Sequence, residues 1–318
     1  MDKPIYIQSM GAVYFDAVES GVQPDLKQAM TEVCTQRFRR IDRFIQLALV
    51  GAGRCAKGKL LDAQTAVYLT SGAGPTSMNI DVQQNIFRDH REPRPVSFIN
   101  TLGNSAGYYV GKDLGLCGQN LFVTRDVHAF ESVLEIAALD IHAGRVGQSL
   151  IGIVDEISHP LFHQCQRMHL PADTKLGEGS HWFLVSGNAN DETIGVIEES
   201  RMFDSDDALI TSLTSCASPT GTYRQPLLLF FGLGCDSELI KRCLATLPVG
   251  TRKVGFGQQA WNGLNAGAIN GFLESDSDGK LLIISRDRES RCHATRVSSL
   301  CSISESGWRK NKLLYTIK

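Results

Sequence analysis

The chain has 318 residues, 42% hydrophobic and 21% charged, with a formal net charge of −2. That is the balance of a soluble globular protein with a sizeable core, and without a long Lys/Arg run it favours neither nucleic acid nor anionic lipid. The start, Met1 to Gln8, is too polar for a signal peptide, and the longest apolar run, Leu227 to Leu233, is far short of the roughly 20 residues a membrane span needs. Nine cysteines without a C-x-x-C pair suit free thiols in a reducing cytoplasm.

Leu26 to Cys34 and Ile41 to Cys55 read as helices, with Phe44, Leu47 and Ala48 at helical spacing. Ala66 to Thr70 is a β-prone run closed by Ser71-Gly72-Ala73-Gly74-Pro75, and Met78 to Phe87 reads as helical. Pro93 and Pro95 mark a loop, and Val96 to Asn100 reads as a strand. Tyr108 to Asp113 reads as a helix. Asn120 to Thr124, Phe130 to Ala143 and Ser149 to Val154 form a β-α-β signal, with Gly144 placed to end the helix. Later strands are expected at Trp182 to Val185, Ile194 to Glu198, Leu227 to Phe231 and Leu281 to Ser285, with a helix at Ser237 to Leu247. The polar stretch Asp204 to Gln225 reads as a loop. Alternating strands and helices predict an α/β architecture.

Three local patterns admit a chemical reading. Gly51-Ala52-Gly53-Arg54-Cys55-Ala56 matches G-x-G-x-x-A, but the residues before it look helical where a dinucleotide site needs a strand, so glycines in a packed helix are expected. Gly103-Asn104-Ser105-Ala106-Gly107 matches the nucleophile elbow G-x-S-x-G, with Asp155 and His159 following in order. No oxyanion loop precedes it, and Asp and His four residues apart do not suit that fold. His159, His163, Cys165 and His169 crowd one segment, but their spacing fits no common structural zinc site.

The run Asn100 to Glu156 resembles the β-ketoacyl synthases. Asn100 to Gly107 and Leu114 to Asn120 are similar to the family's segment before its active-site strand, and Gly152-Ile153-Val154-Asp155-Glu156 to its G-G-x-D/E strand end. Ile41 to Leu49 is similar to its D-R-x-x-Q-L-A helix, and Lys175 to Ser180 to its x-x-G-E-G-A turn. The resemblance implies a thiolase-like fold: one domain, residues 1–318, of two pseudo-symmetric α/β halves (about 1–175 and 176–318) layered α-β-α-β-α.

Ketosynthases use a cysteine to hold the acyl chain as a thioester and two histidines to decarboxylate the malonyl unit. Counting back from Gly144, the cysteine position falls on Val127, between Asp126 and His128. Phe231, before Gly232-Leu233-Gly234-Cys235, stands for the first histidine, and Trp261, in Ala260 to Gly267, for the second. The late G-F-G-G-x-N loop has no counterpart near Ser285 to Ser290.

The resemblance therefore implies a chain length factor of the aryl polyene or type II polyketide kind, inactive by itself and cytoplasmic. Its partners would be an active β-ketoacyl synthase and, through that subunit, an acyl carrier protein; no cofactor or metal is implied. Candidate tunnel residues on the helix after Gly74 are Ser77, Met78, Ile80, Asp81 and Gln84. The alternatives are an enzyme of the same fold using Asp126, His128 or Cys235, or a serine hydrolase using Ser105.

Overall fold

The computed structural model describes residues 1, 3–18, 21–217, 227–275 and 279–300. In chain order the elements are β1 (Ile5–Asp16), α1 (Lys27–Val33), α2 (Arg43–Ala56), β2 (Ala66–Ser71), α3 (Thr76–Gln83) continuing into a π-helical turn (Gln84–Arg88), α4 (Pro95–Asn100), α5 (Asn104–Leu114), β3 (Asn120–Thr124), α6 (Ala129–His142), β4 (Gln148–Asp155), α7 (Leu161–Arg167) and β5 (Gly177–Ser186). Then follow β6 (Gly195–Phe203), α8 (Asp206–Ala217), β7 (Leu228–Phe231), α9 (Ser237–Thr246), β8 (Arg252–Lys253), α10 (Leu264–Glu274), β9 (Lys280–Arg286) and β10 (Cys292–Ser299).

The strands hydrogen-bond in the order β3-β2-β4-β5-β1-β6-β10-β9-β7-β8. The same local order occurs twice: third, second, fourth, fifth, first. In each half the fifth strand is antiparallel to its neighbours, β5 to β4 and β1, and β10 to β9 and β6. The two halves meet where β1 pairs antiparallel with β6. The seam therefore lies between Ser186 and Gly195. The expected division at 175/176 falls one strand early, because β5 is laid between β4 and β1.

Central strands are buried on both faces and read as continuous apolar runs. Their alternate residues enter different cores. Val67, Leu69, Leu150, Val154, Trp182 and Leu184 face α2 and α5. Tyr68, Ile151, Phe183, Ile283 and Val297 face a central layer made by α6 and α10. Leu229, Leu282 and Ile284 face α8 and α9. Five layers, α-β-α-β-α, result. Local signals fix the helix ends. Asp42 accepts from Ile45 N at 3.0 Å to start α2, and Asp236 accepts from Leu239 N at 2.8 Å to start α9. Gly115 and Gly144, both at positive φ, follow α5 and α6.

Two sequence expectations are corrected. Val96 to Asn100 is helical, within α4, because Pro95 pre-sets its first turn. Asp206–Ala217 is helix α8, whose only buried side chains are Leu209 and Leu213, too sparse a stripe to stand out in a polar sequence; residues 218–225 of that expected loop lie outside the described residues. β1, β8, β10, α7 and α10 were not anticipated as elements.

Candidate functional site

The central helices bring the three expected catalytic positions to one end of the molecule. Val127 is half-buried in the turn before α6. The next residue, His128, caps α6 in the left-handed region (φ 66°) and is buried. Its Nε2 lies 3.4 Å from the Arg291 carbonyl, which can only accept, so Nε2 carries the proton. Nδ1 is then free to accept from the Ser285 hydroxyl at 3.1 Å. Asn265, in the first turn of α10, donates to Ser285 Oγ at 3.1 Å and to Glu131. Gly232, beside Phe231 at the end of β7, lies so close to the Asn265 amide that a Cβ there would meet it at 2.1 Å. His293 lies 5.6 Å from His128, ring to ring, and pairs with Glu135 at 3.1 Å.

His128, Ser285, Asn265 and Glu131 are each under 10% exposed and are joined by hydrogen bonds, with Asn265 Oδ1 left without a partner. Burial holds the His128 imidazole below its ordinary value, against the pull of Glu131, and so favours the neutral ring. A polar network thus closes the turn that carries Val127 and His128. Cys235 is not placed as a reactive thiol. Its Sγ is 3.4 Å from the Ile284 carbonyl, and burial pushes the thiol up to about 12, far from thiolate.

Beside this network is a cleft of about 170 Å³ at the carboxyl ends of β2 and β4. Gly72, Ala73, Asp155, Glu156, Asp126, Arg167 and Asn262 line it, with the buried Trp261 ring among them. Asp155 accepts from Ser71 Oγ at 2.5 Å and Gly72 N at 3.0 Å, yet burial pushes it up to about 6. Glu156 accepts from Ser77 N at 2.7 Å; burial, reinforced by Asp42 and Glu178, pushes it up to about 8. Glu178 is fully buried and is held by Arg43 Nε at 2.7 Å. Asp126 is exposed and paired with Arg288 at 2.7 Å. The cleft presents carboxyls and a guanidinium, with no thiol or imidazole among its lining residues.

His181, which no sequence pattern singled out, lies behind Trp261 with ring centroids 5.3 Å apart. Trp261 Nε1 donates to Gln258 Oε1 at 3.0 Å, which turns the Gln258 amide nitrogen to His181 Nε2 at 3.1 Å. Burial drives this imidazole down to about 3, so it stays neutral. An aromatic side chain therefore fills the space in front of a structural histidine.

The candidate tunnel residues lie on α3, except Gln84, which begins the π-helical turn after it, and the first turn of α3 stands on the cleft through Ser77. Ser77, Met78 and Ile80 are half-buried, while Asp81 and Gln84 are exposed. Around α3 an apolar surface is open to solvent. Phe87 is 75% exposed, Phe98 58%, Ile99 52%, Leu102 51% and Tyr108 58%. It adjoins β3, which among the described residues pairs only with β2 and is an edge of the sheet; Gly103 sits directly on Phe122 of that strand. Sequence reading missed this surface because Val96 to Asn100 looked like a buried strand.

The remaining motifs are structural. Gly51 lies inside α2, where a Cβ would meet Ser180 Oγ at 2.5 Å and Trp182 at 2.6 Å. Ser105 Oγ donates to the Ile99 carbonyl at 2.8 Å, while Asp155 is engaged by Ser71, so no triad assembles. Cys165 is buried against the Thr174 carbonyl while His159, His163 and His169 are exposed, so these four do not converge.

No family model and no curated protein matches the chain. Solved structures do. An ishigamide ketosynthase/chain length factor is similar at 17% identity over 93% of this chain and 99% of that one, with a TM-score of 0.73. A type II polyketide synthase ketosynthase, in complex with its acyl carrier protein and bound to the hexaketide, gives 11% identity over 94% and 100%, with a TM-score of 0.67. A ketosynthase in complex with its chain length factor from Xenorhabdus doucetiae gives 13% over 92% and 98%, with a TM-score of 0.54. The chain has the ketosynthase fold. At these identities the likeness fixes architecture, and the ketosynthase fold explains the repeated strand order and the paired central helices. No described helix is long and apolar enough to cross a membrane, and each described cysteine is a free thiol.

Proposed function

We propose that the chain is a non-catalytic chain length factor subunit. It pairs with an active β-ketoacyl synthase during elongation of polyketide or polyene chains on an acyl carrier protein, and it shapes the tunnel that limits their length. The observation that carries this reading is the combination at one end of the fold. Val127, Phe231 and Trp261 stand at the reaction positions over a closed hydrogen-bond network, while a large apolar surface and a sheet edge beside it lie open. A thioester needs a thiolate, and a decarboxylating site needs accessible imidazoles; His128, His181 and His293 are buried, and burial favours the neutral ring at His128 and His181. An exposed apolar patch next to an unpaired strand is the signature of a partner surface. Similar structures in which a ketosynthase is joined to a chain length factor supply the kind of partner, a ketosynthase.

The same-fold enzyme with altered chemistry finds less support, since Cys235 is a high-pKa thiol and Asp126 is held in an exposed ion pair. Ser105 is committed to a backbone carbonyl, which disfavours the hydrolase. The test is co-expression with an intact ketosynthase and its acyl carrier protein, followed by native mass and an elongation assay. A one-to-one heterodimer that elongates only when both chains are present is expected. A stable monomer or homodimer that leaves elongation unchanged overturns the reading.

A further inference from the structure

The cleft at the carboxyl ends of β2 and β4 has acids on its floor and a guanidinium on its rim. Asp155 and Glu156 form the floor and are 5% and 4% exposed. Asp155 accepts from Ser71 Oγ, Gly72 N and the side chain of Asn262. Among the described residues Ser77 is the one hydrogen-bond partner of the Glu156 carboxyl, which leaves it capacity for a donor in the cleft. No cation offsets this floor from behind: Asp42 and Glu178 act on Glu156 with like charge, and Arg43 is engaged by Glu178. Arg167 stands at the rim and is exposed. It donates to Ser158 Oγ at 2.7 Å, one bond from a group with five N–H donors. Arg167 interacts with Asp155 through space, yet among the described residues it forms no ion pair. Asp126, also on the rim, is taken by Arg288. Trp261 and Met168 supply the apolar wall.

We infer that this cleft binds a small zwitterion, a free α-amino acid, with its ammonium against Asp155 and Glu156 and its carboxylate on Arg167. Size sets the first limit. About 170 Å³ is below the roughly 300–1,000 Å³ of a drug-sized site, so the occupant has few heavy atoms and an extended acyl chain does not fit. Charge sets the second. Two buried carboxyls without a facing cation are costly to ionise, and burial accordingly pushes them up to about 6 and about 8. An ammonium supplies the missing charge and three N–H donors. The Arg167 guanidinium matches a carboxylate with parallel N–H groups, and at the rim that carboxylate stays partly in water. An amine alone leaves Arg167 unmatched, and a carboxylate alone faces two acids. Among the described residues no three carboxyl, imidazole or thiol groups are arranged to hold a metal ion. None of Phe87, Phe98, Ile99 and Leu102 lines the cleft, so its occupancy does not depend on pairing with a ketosynthase.

The experiment titrates the full-length chain with L-alanine and L-serine, and with ethylamine and propionate, which each carry one of the two charges. Binding is followed by the NMR signals of the ligands. The amino acids are expected to bind with a Kd of about 1 mM or tighter, at least tenfold tighter than ethylamine or propionate. Arg167→Gln, at an exposed position, should keep the thermal unfolding midpoint. It should weaken both amino acids at least tenfold and leave ethylamine unchanged. Glu156→Gln should weaken ethylamine and the amino acids alike. Arg252→Glu, on β8 in the other half, should change none of them. Absence of amino-acid binding overturns the inference. So does ethylamine or propionate binding as tightly as alanine, which would make the cleft a site for a single charge. An unchanged alanine affinity in folded Arg167→Gln overturns it, and so does an equal loss in Arg252→Glu, which would place the binding elsewhere. If Glu156→Gln does not fold, the ratio of alanine to ethylamine in Arg167→Gln decides by itself.

Discussion

The two halves share a strand order but differ in what joins their second and third strands. In the first half residues 72–119 carry α3, the π-helical turn, α4 and α5; in the second, residues 232–251 carry only α9. The shared parts are the ones the cores require, since α6 and α10 fill the central layer and α2/α5 and α8/α9 cover the outer faces. The extra segment does the opposite and holds Phe87, Phe98, Ile99 and Leu102 in water, at an unfavourable free energy of roughly 25 cal/mol per Å² of apolar surface. A fold that needed only stability would not keep such a segment. On the function proposed here, the difference between the halves puts the partner surface in the first.

The largest effect is expected from placing charge on that surface. Phe98→Asp with Leu102→Asp should leave the isolated chain folded, because both side chains are more than half exposed. Pairing with the ketosynthase should weaken roughly a thousandfold, at about 2 kcal/mol for each central contact. Leu244→Asp on α9, in the corresponding connection of the second half, should change it little. Native mass and isothermal titration measure both, and equal losses would erase the contrast between the halves.

A smaller, product-level effect is expected at α3. Met78→Ala and Met78→Trp should lengthen and shorten the product respectively by about one or two extension units, because a close-packed wall stops a chain by contact. Mass spectrometry of released products reads this directly, and identical products across the series would remove α3 from the tunnel wall.

The smallest effect concerns pH. Glu156, at the end of β4, keeps its proton in the folded protein up to about pH 8, whereas an unfolded glutamate loses it near about 4.3. Between those values the unfolded state binds fewer protons, so this group lowers stability as pH rises. Glu156→Gln, whose amide oxygen can still accept from Ser77 N, should therefore gain stability through that window, on the order of a few kcal/mol at pH 8 and above. Asp287, at the corresponding end of β9, has the opposite sign. Burial pushes it up, but its hydrogen bonds from Arg291 outweigh burial and hold it below its ordinary value. Asp287→Asn should lose stability above about pH 4 and not below its folded value. Urea unfolding of both variants from about pH 2 to 9 checks the two slopes; parallel slopes would refute the assignment.

Much of the layering was legible because hydrophobic spacing is local. β2, β3, β4, β7 and β9, with α2, α6 and α9, carry their patterns in consecutive residues. α8 was not legible because only Leu209 and Leu213 are buried, and α4 was misread because its apolar residues point to solvent. Of the site, Val127 could be placed just before α6 by counting along one helix. His128's place in the closed network could not, since it depends on Ser285 and Asn265 from the other half.

The sequence by itself determined the alternation of strands and helices, the doubled α/β plan and the absence of a thiol between Cys117 and Cys165. Tertiary structure alone decided that Asp42, Glu156 and Glu178 share one buried site, that Trp261 covers His181, and that Asp155 and Arg167 line one cleft. The physical reason is range: backbone preference and hydrophobic period act over a few residues, whereas burial and charge act between whichever groups the packed layers bring together.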